Sequence, residues 1–599
     1  MNQKPKTSET LWVAPPPQSE ELELAICKRF GVHPIIAKIL SIRGFDTLEK
    51  IEAFLLGRLT DLHNPYLLLG MDKAIDRIYS AFKKGEKILI YGDNDVDGIT
   101  ATTLLADFLR DLSAPFAYFV PNRSTLKQSL ILDAILFARD HNCKLLITVD
   151  CGVSAHDEIK EAVKYGIDVI VSDHHEPTDE LPVCVATLNP KLINSTYPNK
   201  DLTGVGVAFK LIHALNDHLI EKKELFYKEA LTIDLHKYLD LVALGTVADM
   251  GALTGENRIL VRDGLERIKK LKRTGLQELI EVCGIEPSKI TPMEIASKIA
   301  PRLNSLGRID FPQKGVDLLM LGNKADAEIL AKDLNLKNIE RQHIERDASE
   351  KIDTYLATHP EIFNERAIVL YSNEWHPGII PIITARIAKQ YNRPTLLIAI
   401  EDGVGKGSMR TISKFPLLPI LRKNSDILLS FGGHAFAAGM TIEEAHIPAF
   451  KKSFIDAANE ELKDEDMTAK LYIDAEVEFK DIPQLLGSFR DLEPFGNENP
   501  APLLYTIAEQ ASLPKTFGKP FVGGSLSKPH LKLHLKQGKE QFIAIGFGMS
   551  ERAGEVYVKL SGKGQGSDNP RRIAILFTPQ INTFNSSIQL LIRDFRVLN

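Results

Sequence analysis

Cysteine and tryptophan are scarce in this chain: five Cys and two Trp stand among 599 residues. The cysteines (Cys27, Cys143, Cys151, Cys184 and Cys283) are scattered and form no CxxC pair. That argues against a zinc finger and against a disulfide framework, and predicts a reducing, cytoplasmic setting. No run approaches the ~18 apolar residues of a membrane helix, so no membrane association is predicted. The stretch from Met1 to Glu20 is polar, carries Pro15-Pro16-Pro17 and lacks the apolar centre of a signal peptide. Positive charge is not in excess either. A net charge of −6 speaks against an evenly basic nucleic-acid coat, though not against a local basic channel. There is no internal repeat.

What is present is a set of four clusters: Asp93-Asn94-Asp95-Val96-Asp97-Gly98, Asp150-Cys151-Gly152, Asp173-His174-His175 and Gly245-Thr246-Val247-Ala248-Asp249. The first three follow short apolar runs, Ile88 to Tyr91, Leu145 to Val149 and Val169 to Val171. That is the pattern of successive parallel strands with acids at their C-terminal ends. In an open α/β sheet those ends share one crevice. Carboxylates gathered there with an imidazole would repel one another unless cations neutralised them. Oxygen ligands with one nitrogen suit Mn²⁺ or Mg²⁺, and a pair of ions would suit hydrolysis of a phosphoester. Each cluster alone also reads as a solvated loop, a structural His pair or a helix cap. The four together, in this order, point to a metal site.

A chain of 599 residues exceeds one core, so roughly three to five domains are predicted. Residues 1–70 read as a helical lead-in. Residues 71–255 alternate strands with helices, as in a doubly wound parallel sheet. Residues 256–358 read as helical, ending in one long helix from near Asn323 to Thr358 that serves as a connector. Residues 359–460 form a second α/β unit, with strands at Ala367 to Tyr371 and Thr395 to Ile400. Residues 461–599 read as a small all-β barrel. Between Glu509 and Glu540 there is no acid. There Lys528, His530, Lys532, His534 and Lys536 alternate along one strand, with Phe517 and Phe521 nearby. Such a face suits single-stranded nucleic acid, or simply solubilises a sheet.

The clusters together resemble the DHH phosphoesterase superfamily, which is named for a motif like Asp173-His174-His175. Further motifs extend the resemblance across nearly the whole chain from about residue 30. They include Asn189-Pro190-Lys191, Gly204-Val205-Gly206-Val207, Pro301-Arg302-Leu303-Asn304, Gly307-Arg308, Trp375-His376, Ser408-Met409-Arg410, Gly432-Gly433-His434 and Pro494-Phe495-Gly496-Asn497. Within the superfamily they are most similar to the RecJ branch of 5′→3′ exonucleases specific for single-stranded DNA. The resemblance implies a DHH domain, a DHHA1 domain and a C-terminal OB-fold barrel. It implies that Asp93, Asp95, Asp150, His174 and Asp249 hold two Mn²⁺ or Mg²⁺ ions, supported by Asp97 and Asp173. It implies that His175, Ser408, Arg410 and His434 hold the reacting phosphate. Arg123, Arg302, Asn304 and Arg308, with Lys528, Lys532 and Lys536 of the barrel, would contact the strand. Family membership also implies work in recombination and repair; single-strand-binding protein and helicases are the expected partners, and a monomer is predicted.

Three positions depart from the family pattern. Tyr91 stands where His is usual, Pro381 where Gly is common, and Ser124 to Leu130 lacks the usual Gly-rich acidic segment. Two other readings therefore stay open: a catalytically weak single-strand-binding scaffold, and a phosphodiesterase of short oligoribonucleotides.

Overall fold

The computed structural model describes residues 10–122, 130–178, 180–412, 414–518, 521–522, 525–526, 529–557, 571–582 and 585–598. Arg123, the following segment and Lys528 therefore lie outside the described residues. Two compact units result. One is built on Arg58–Met467. The other is built on residues 10–57, Thr468–Phe495 and Asn499 onward.

The first unit opens with five strands: β1 (Lys87–Gly92), β2 (Phe116–Phe119), β3 (Cys143–Val149), β4 (Asp168–Ser172) and β5 (Ala186–Leu188). All pair in parallel, in the order β2-β1-β3-β4-β5. Alternate residues enter opposite cores. Ile88, Ile90, Leu145 and Ile147 face one core, and Leu89, Tyr91, Leu146 and Val169 face the other. Both faces are covered, which is why the strands read as unbroken apolar runs. The strand order reverses between β1 and β3, and such a switch point opens a crevice at the strand C-termini.

The helix Lys324–Thr358 is capped by Asn323, whose side chain accepts from the amides of Ala325 and Asp326. Its first half adds Ala327, Ala331 and Leu334 to the core beneath the first sheet. Its second half adds Ala348, Ile352 and Leu356 to the core of the next domain. One rigid rod thus spans two cores. The second sheet has β6 (Ile368–Ser372), β7 (Thr395–Glu401), β8 (Val404–Arg410), β9 (Leu428–Gly433) and β10 (Ala437–Glu443), ordered β9-β10-β8-β7-β6. Pro381 sits in the first turn of the helix Ile380–Tyr391, where its missing amide proton breaks no helical bond. Tyr91 is buried and stacks on Phe119 at 6.2 Å.

In the second unit, Leu504–Gln510, Arg572–Ile581, Ile588–Val597, Glu540–Gly546 and His530–Gln537 pair in that order. The last returns to pair with the first, closing a barrel. The N-terminal helices Glu20–Phe30, Pro34–Ile42 and Leu48–Leu56 share its core, through Ile26, Ile36, Leu40, Ile51 and Phe54. Arg43 pairs with Asp474 at 3.2 Å. Trp12 Nε1 donates to Asp594 at 2.7 Å. Among the described residues, no helix is long and apolar enough to cross a membrane.

A buried ion pair pins the helix Gly204–Lys222 in the first unit. Lys210 and Glu256 are 0% and 2% exposed and meet at 2.6 Å, while Tyr197 Oη donates to the other Glu256 oxygen at 2.6 Å. Glu256→Ala leaves a buried ammonium without its counter-ion and should destabilise this unit by about 3–5 kcal/mol. Replacing both partners, Lys210→Met with Glu256→Leu, should recover most of that loss. Urea-unfolding midpoints check both outcomes.

Candidate metal centre and phosphate grip

The crevice at the β1/β3 switch receives every acid the sequence singled out there. Asp95 caps the helix Val96–Asp111 with its side chain, accepting from the amides of Asp97 (3.0 Å) and Gly98 (3.1 Å). Asp97 is 1% exposed and accepts from Gly204 N (2.6 Å) and Val205 N (3.0 Å), at the start of the helix Gly204–Lys222. Asp150 directly follows β3, at φ +62°, and is 2% exposed. A Cβ on Gly204 would lie 2.5 Å from the Asp150 carboxylate, so only glycine lets that helix come so close. Asp249 caps the C-terminus of the helix Leu239–Ala248.

These groups converge on His174. Its Nε2 lies 3.1 Å from Asp150 Oδ1, 3.7 Å from Asp249 Oδ2 and 3.8 Å from Asp97 Oδ2. Asp93, Asp95 and Asp150 form a second close set, with ligand atoms within 4.8 Å of one another. Asp150 Oδ1 and His174 Nε2 are buried, face each other and have no hydrogen-bond partner among the described residues. Burial and the charges of Asp249 and Asp95 push the Asp97 carboxyl well above its usual range. Burial and the charges of Asp97, Asp95 and Asp93 do the same to Asp150. Asp249 is raised to about 7 by burial and then by Asp95. Burial and the neighbouring His175 lower His174 to about 3, leaving a neutral imidazole. Orphaned acceptors, mutually repelling carboxylates and a neutral imidazole form a donor set that fits hard divalent cations.

Asp173 organises the rest. Its Oδ1 accepts from His174 N (2.7 Å), His175 N (3.1 Å) and His175 Nδ1 (2.8 Å), and its Oδ2 accepts from Val153 N (2.9 Å). Burial opposes charge on His175, but the Asp173 bond and charge outweigh it and raise the imidazole to about 9. Across the cleft, the His434 ring lies parallel to His175, with centroids 5.6 Å apart and planes 15° apart. Burial and the His175 charge lower the pKa of His434. His434 occupies the turn between β9 and β10. Gly433 precedes it at φ +137°, where a Cβ would meet the Ala437 carbonyl at 2.5 Å. Ser408 and Arg410 lie on β8, opposite Gly439 and Ala437.

The remaining predicted contacts divide. Arg308 donates to the Gly378 carbonyl at 2.7 Å, and burial, with the charges of Arg341 and Arg410, lowers it to about 10. Arg302 is held by Asn335 (2.9 Å) and the Lys298 carbonyl (2.6 Å). Asn304 accepts from Val96 N at 3.2 Å, so it buttresses the acidic loop. On the barrel, Leu531, Leu533 and Leu535 point inward while Lys532 and Lys536 alternate outward. Lys532 stands opposite Lys515, and Lys536 pairs with Glu509 at 3.3 Å. Phe517 and Phe547 flank His530 at 5.2 and 4.9 Å.

Three residues escaped the sequence reading. Arg341 sits in a helix so charged that one more cation reads as solvated. Lys191, paired with Glu176 at 3.1 Å, adds its charge to the surroundings of His174, Asp249 and His434. Its Asn-Pro-Lys motif was a visible signal. Phe547 had none.

The DHH family N-terminal domain matches residues 87–246, the DHHA1 domain residues 364–464 and the RecJ OB domain residues 473–594. The single-stranded-DNA-specific exonuclease RecJ of Bacillus subtilis is 34% identical over 596 residues, covering 98% of this chain and 71% of that one. The chain belongs to the RecJ family. RecJ of Escherichia coli is 34% identical over 489 residues, with 78% and 82% of the two chains covered. The crystal structure of Thermus thermophilus RecJ with Mn²⁺ superposes with a TM-score of 0.79 at 27% identity, covering 98% of this chain and 79% of that one. A Mg²⁺ complex of the same protein is also similar. In this RecJ-family chain, the acids just described are the groups available for such ions.

The raised carboxyls give a sign for metal binding. Below about 7, Asp249 holds a proton in the metal-free protein, and that proton competes with a cation. Mn²⁺ affinity should therefore fall as pH drops from 8 to 6. Calorimetry in two buffers of different ionisation enthalpy should register protons released on binding near pH 6. Affinity independent of pH over that range would contradict this account.

Proposed function

We propose that the chain is a metal-dependent exonuclease that removes 5′-mononucleotides from the 5′ end of single-stranded DNA. The observation that carries this is the convergence of Asp93, Asp95, Asp150, His174 and Asp249 on one crevice, with orphaned ligand atoms, across from His434. Those five residues would hold Mn²⁺ or Mg²⁺. The chemistry a pair of such ions supplies is charge neutralisation at phosphorus and activation of an attacking water.

The chain's own groups supply the rest. Asp97 and Asp173 fix the ligand loops through backbone amides. His175, held protonated by Asp173, offers a charged donor to a phosphate oxygen and can carry a proton. His434, with its lowered pKa, is the neutral partner and offers a ring N–H from the opposite side. Two imidazoles driven apart in pKa divide these tasks between them. Ser408 and Arg410 grip the phosphodiester, Arg410 through a charge-assisted fork. Arg308 and Arg341 raise the positive potential around it. The barrel would contact single-stranded DNA through Lys515 and Lys532 and the exposed Phe517 and Phe547.

A non-cleaving scaffold fits less well, since all five ligand positions are filled and mutually oriented. An enzyme of short oligoribonucleotides fits less well because of the RecJ-type OB domain at residues 473–594. Recombination and repair in the cytoplasm, by a monomer beside single-strand-binding protein and helicases, is the setting this reading entails.

The direct test is digestion of a 5′-labelled single strand and its duplex with Mn²⁺, Mg²⁺ or chelator. Release of labelled mononucleotide from the single strand alone, and only with metal, is expected. No cleavage with either ion would exclude the reading. His434→Ala should cut turnover by roughly a hundredfold, the scale of one acid–base or donor group, while bound metal is unchanged. Parallel loss of metal would mark His434 as a ligand. Lys515→Gln with Lys532→Gln should weaken binding of long strands and lower the slope of log affinity against log salt by roughly 1–2. An unchanged slope would remove these lysines from the strand's path.

A further inference from the structure

We propose that Lys191 is a further catalytic residue, its ammonium contacting a non-bridging oxygen of the reacting phosphate, an inference that rests on the exonuclease reading above. Lys191 belongs to the turn that leaves β5, and that turn is tied to the Asp173-His174-His175 loop bond by bond. Asp173 N donates to the Leu188 carbonyl at 2.9 Å. Asn189 is 0% exposed; its Nδ2 donates to the His175 carbonyl and its Oδ1 accepts from Lys191 N, both at 2.8 Å. Lys191 Nζ then lies 3.1 Å from Glu176 Oε1. Residues 188–191 thus keep step with residues 173–176, and the ammonium is set beside the residue that follows His175. Lys200 Nζ donates to the Pro190 and Ser195 carbonyls, each at 2.8 Å, and closes the turn.

Three site groups locate that charge. It acts on His174, on Asp249 and on His434. These come from the loop after β4, the end of the helix Leu239–Ala248 and the turn between β9 and β10, so the ammonium lies close to all three.

The ordinary reading of the Lys191–Glu176 contact is a surface ion pair. Its two ends differ, however: the Lys191 side chain is 23% exposed and that of Glu176 65%. A pair with one partner so far in solvent adds little stability. The ammonium can therefore exchange the carboxylate for a phosphate oxygen at small cost. His434, with its lowered pKa, brings no charge to its side of the reacting phosphate. Lys191 supplies one there. An ammonium is a compact point charge with three rotatable donors, so it needs no set angle of approach. It suits oxygens on which negative charge grows as the P–O bond breaks. No proton changes hands.

The test uses the full-length protein with Lys191→Met, Lys191→Arg and Glu176→Gln, on a short 5′-phosphorylated single strand with saturating Mn²⁺. Lys191→Met should lower kcat roughly a hundredfold, the scale of one lost transition-state donor, and kcat/KM by the same factor. Lys191→Arg should keep most of the turnover, and Glu176→Gln should be as active as the unaltered protein. Bound Mn²⁺ should not fall in Lys191→Met, because a positive charge has left the surroundings of the ligands. An ion pair that merely braces the loop predicts otherwise: Glu176→Gln would then fail as badly as Lys191→Met, and that result overturns the proposal. So does loss of Mn²⁺ in parallel with turnover, or a methionine variant as active as the unaltered protein. If the unaltered protein cleaves no strand with Mn²⁺ or Mg²⁺, the exonuclease reading fails. Binding of the uncut strand in Mn²⁺ then decides for Lys191. The slope of log affinity against log salt should fall by roughly 1 in Lys191→Met, and an unchanged slope, or no binding by the unaltered protein, overturns the proposal.

Discussion

Carboxylates that repel one another in a buried crevice are the constraint around which the first unit is organised. The chain treats them in two ways. Asp97 faces the amides of Gly204 and Val205 at the positive end of a helix, and Asp173 accepts four donors. These acids are satisfied by protein and serve to position others. Asp150 and His174 keep buried ligand atoms with no partner among the described residues. Asp95 does both, capping the helix Val96–Asp111 while lying within ligand distance of Asp93 and Asp150. The positions of Gly204 and the capped helix Val96–Asp111 follow from these contacts.

The second constraint is distance across the cleft. His175 belongs to the end of β4 and His434 to a turn of the other sheet, yet their rings lie parallel. The helix Lys324–Thr358 makes this possible, because its two halves are set into the cores of both domains. Arg308 adds a direct tie through the Gly378 carbonyl. The turn that carries His434 and the acidic crevice are therefore held in register by buried packing and by the Arg308 tie.

Much of this was legible in the chain. Buried parallel strands leave continuous apolar runs, so the three acid-ended strands and the connector helix with its Asn323 cap could be read directly. The acids that meet in the crevice were visible as four clusters taken together, since each alone also reads as a loop or a cap. Less visible was whatever depends on tertiary context. Asn304 reads as a polar strand contact, yet it caps the backbone at Val96, a pairing no local pattern announces. Arg341 reads as one more solvated charge on a charged helix, but its burial near Arg308 depends on packing between elements. The short strand β5 has no periodicity to reveal it. Phe547 looks like any aromatic at a strand end until the barrel closes and brings it to His530.

The makeup of the second unit has a temporal consequence. Its core draws Ile26, Ile36 and Phe54 from the start of the chain and Leu531, Ile575 and Phe595 from near its end. During synthesis those N-terminal helices emerge first, and the strands that cover them come only after Arg58–Met467 has been made. At roughly 5–20 residues per second, that leaves their apolar sides unmatched for tens of seconds. The first unit can fold on the ribosome as it appears. The second must wait for its two parts to meet, so the helices Glu20–Phe30, Pro34–Ile42 and Leu48–Leu56 lack the strands of their core until Leu504–Gln510 and the strands after it are made.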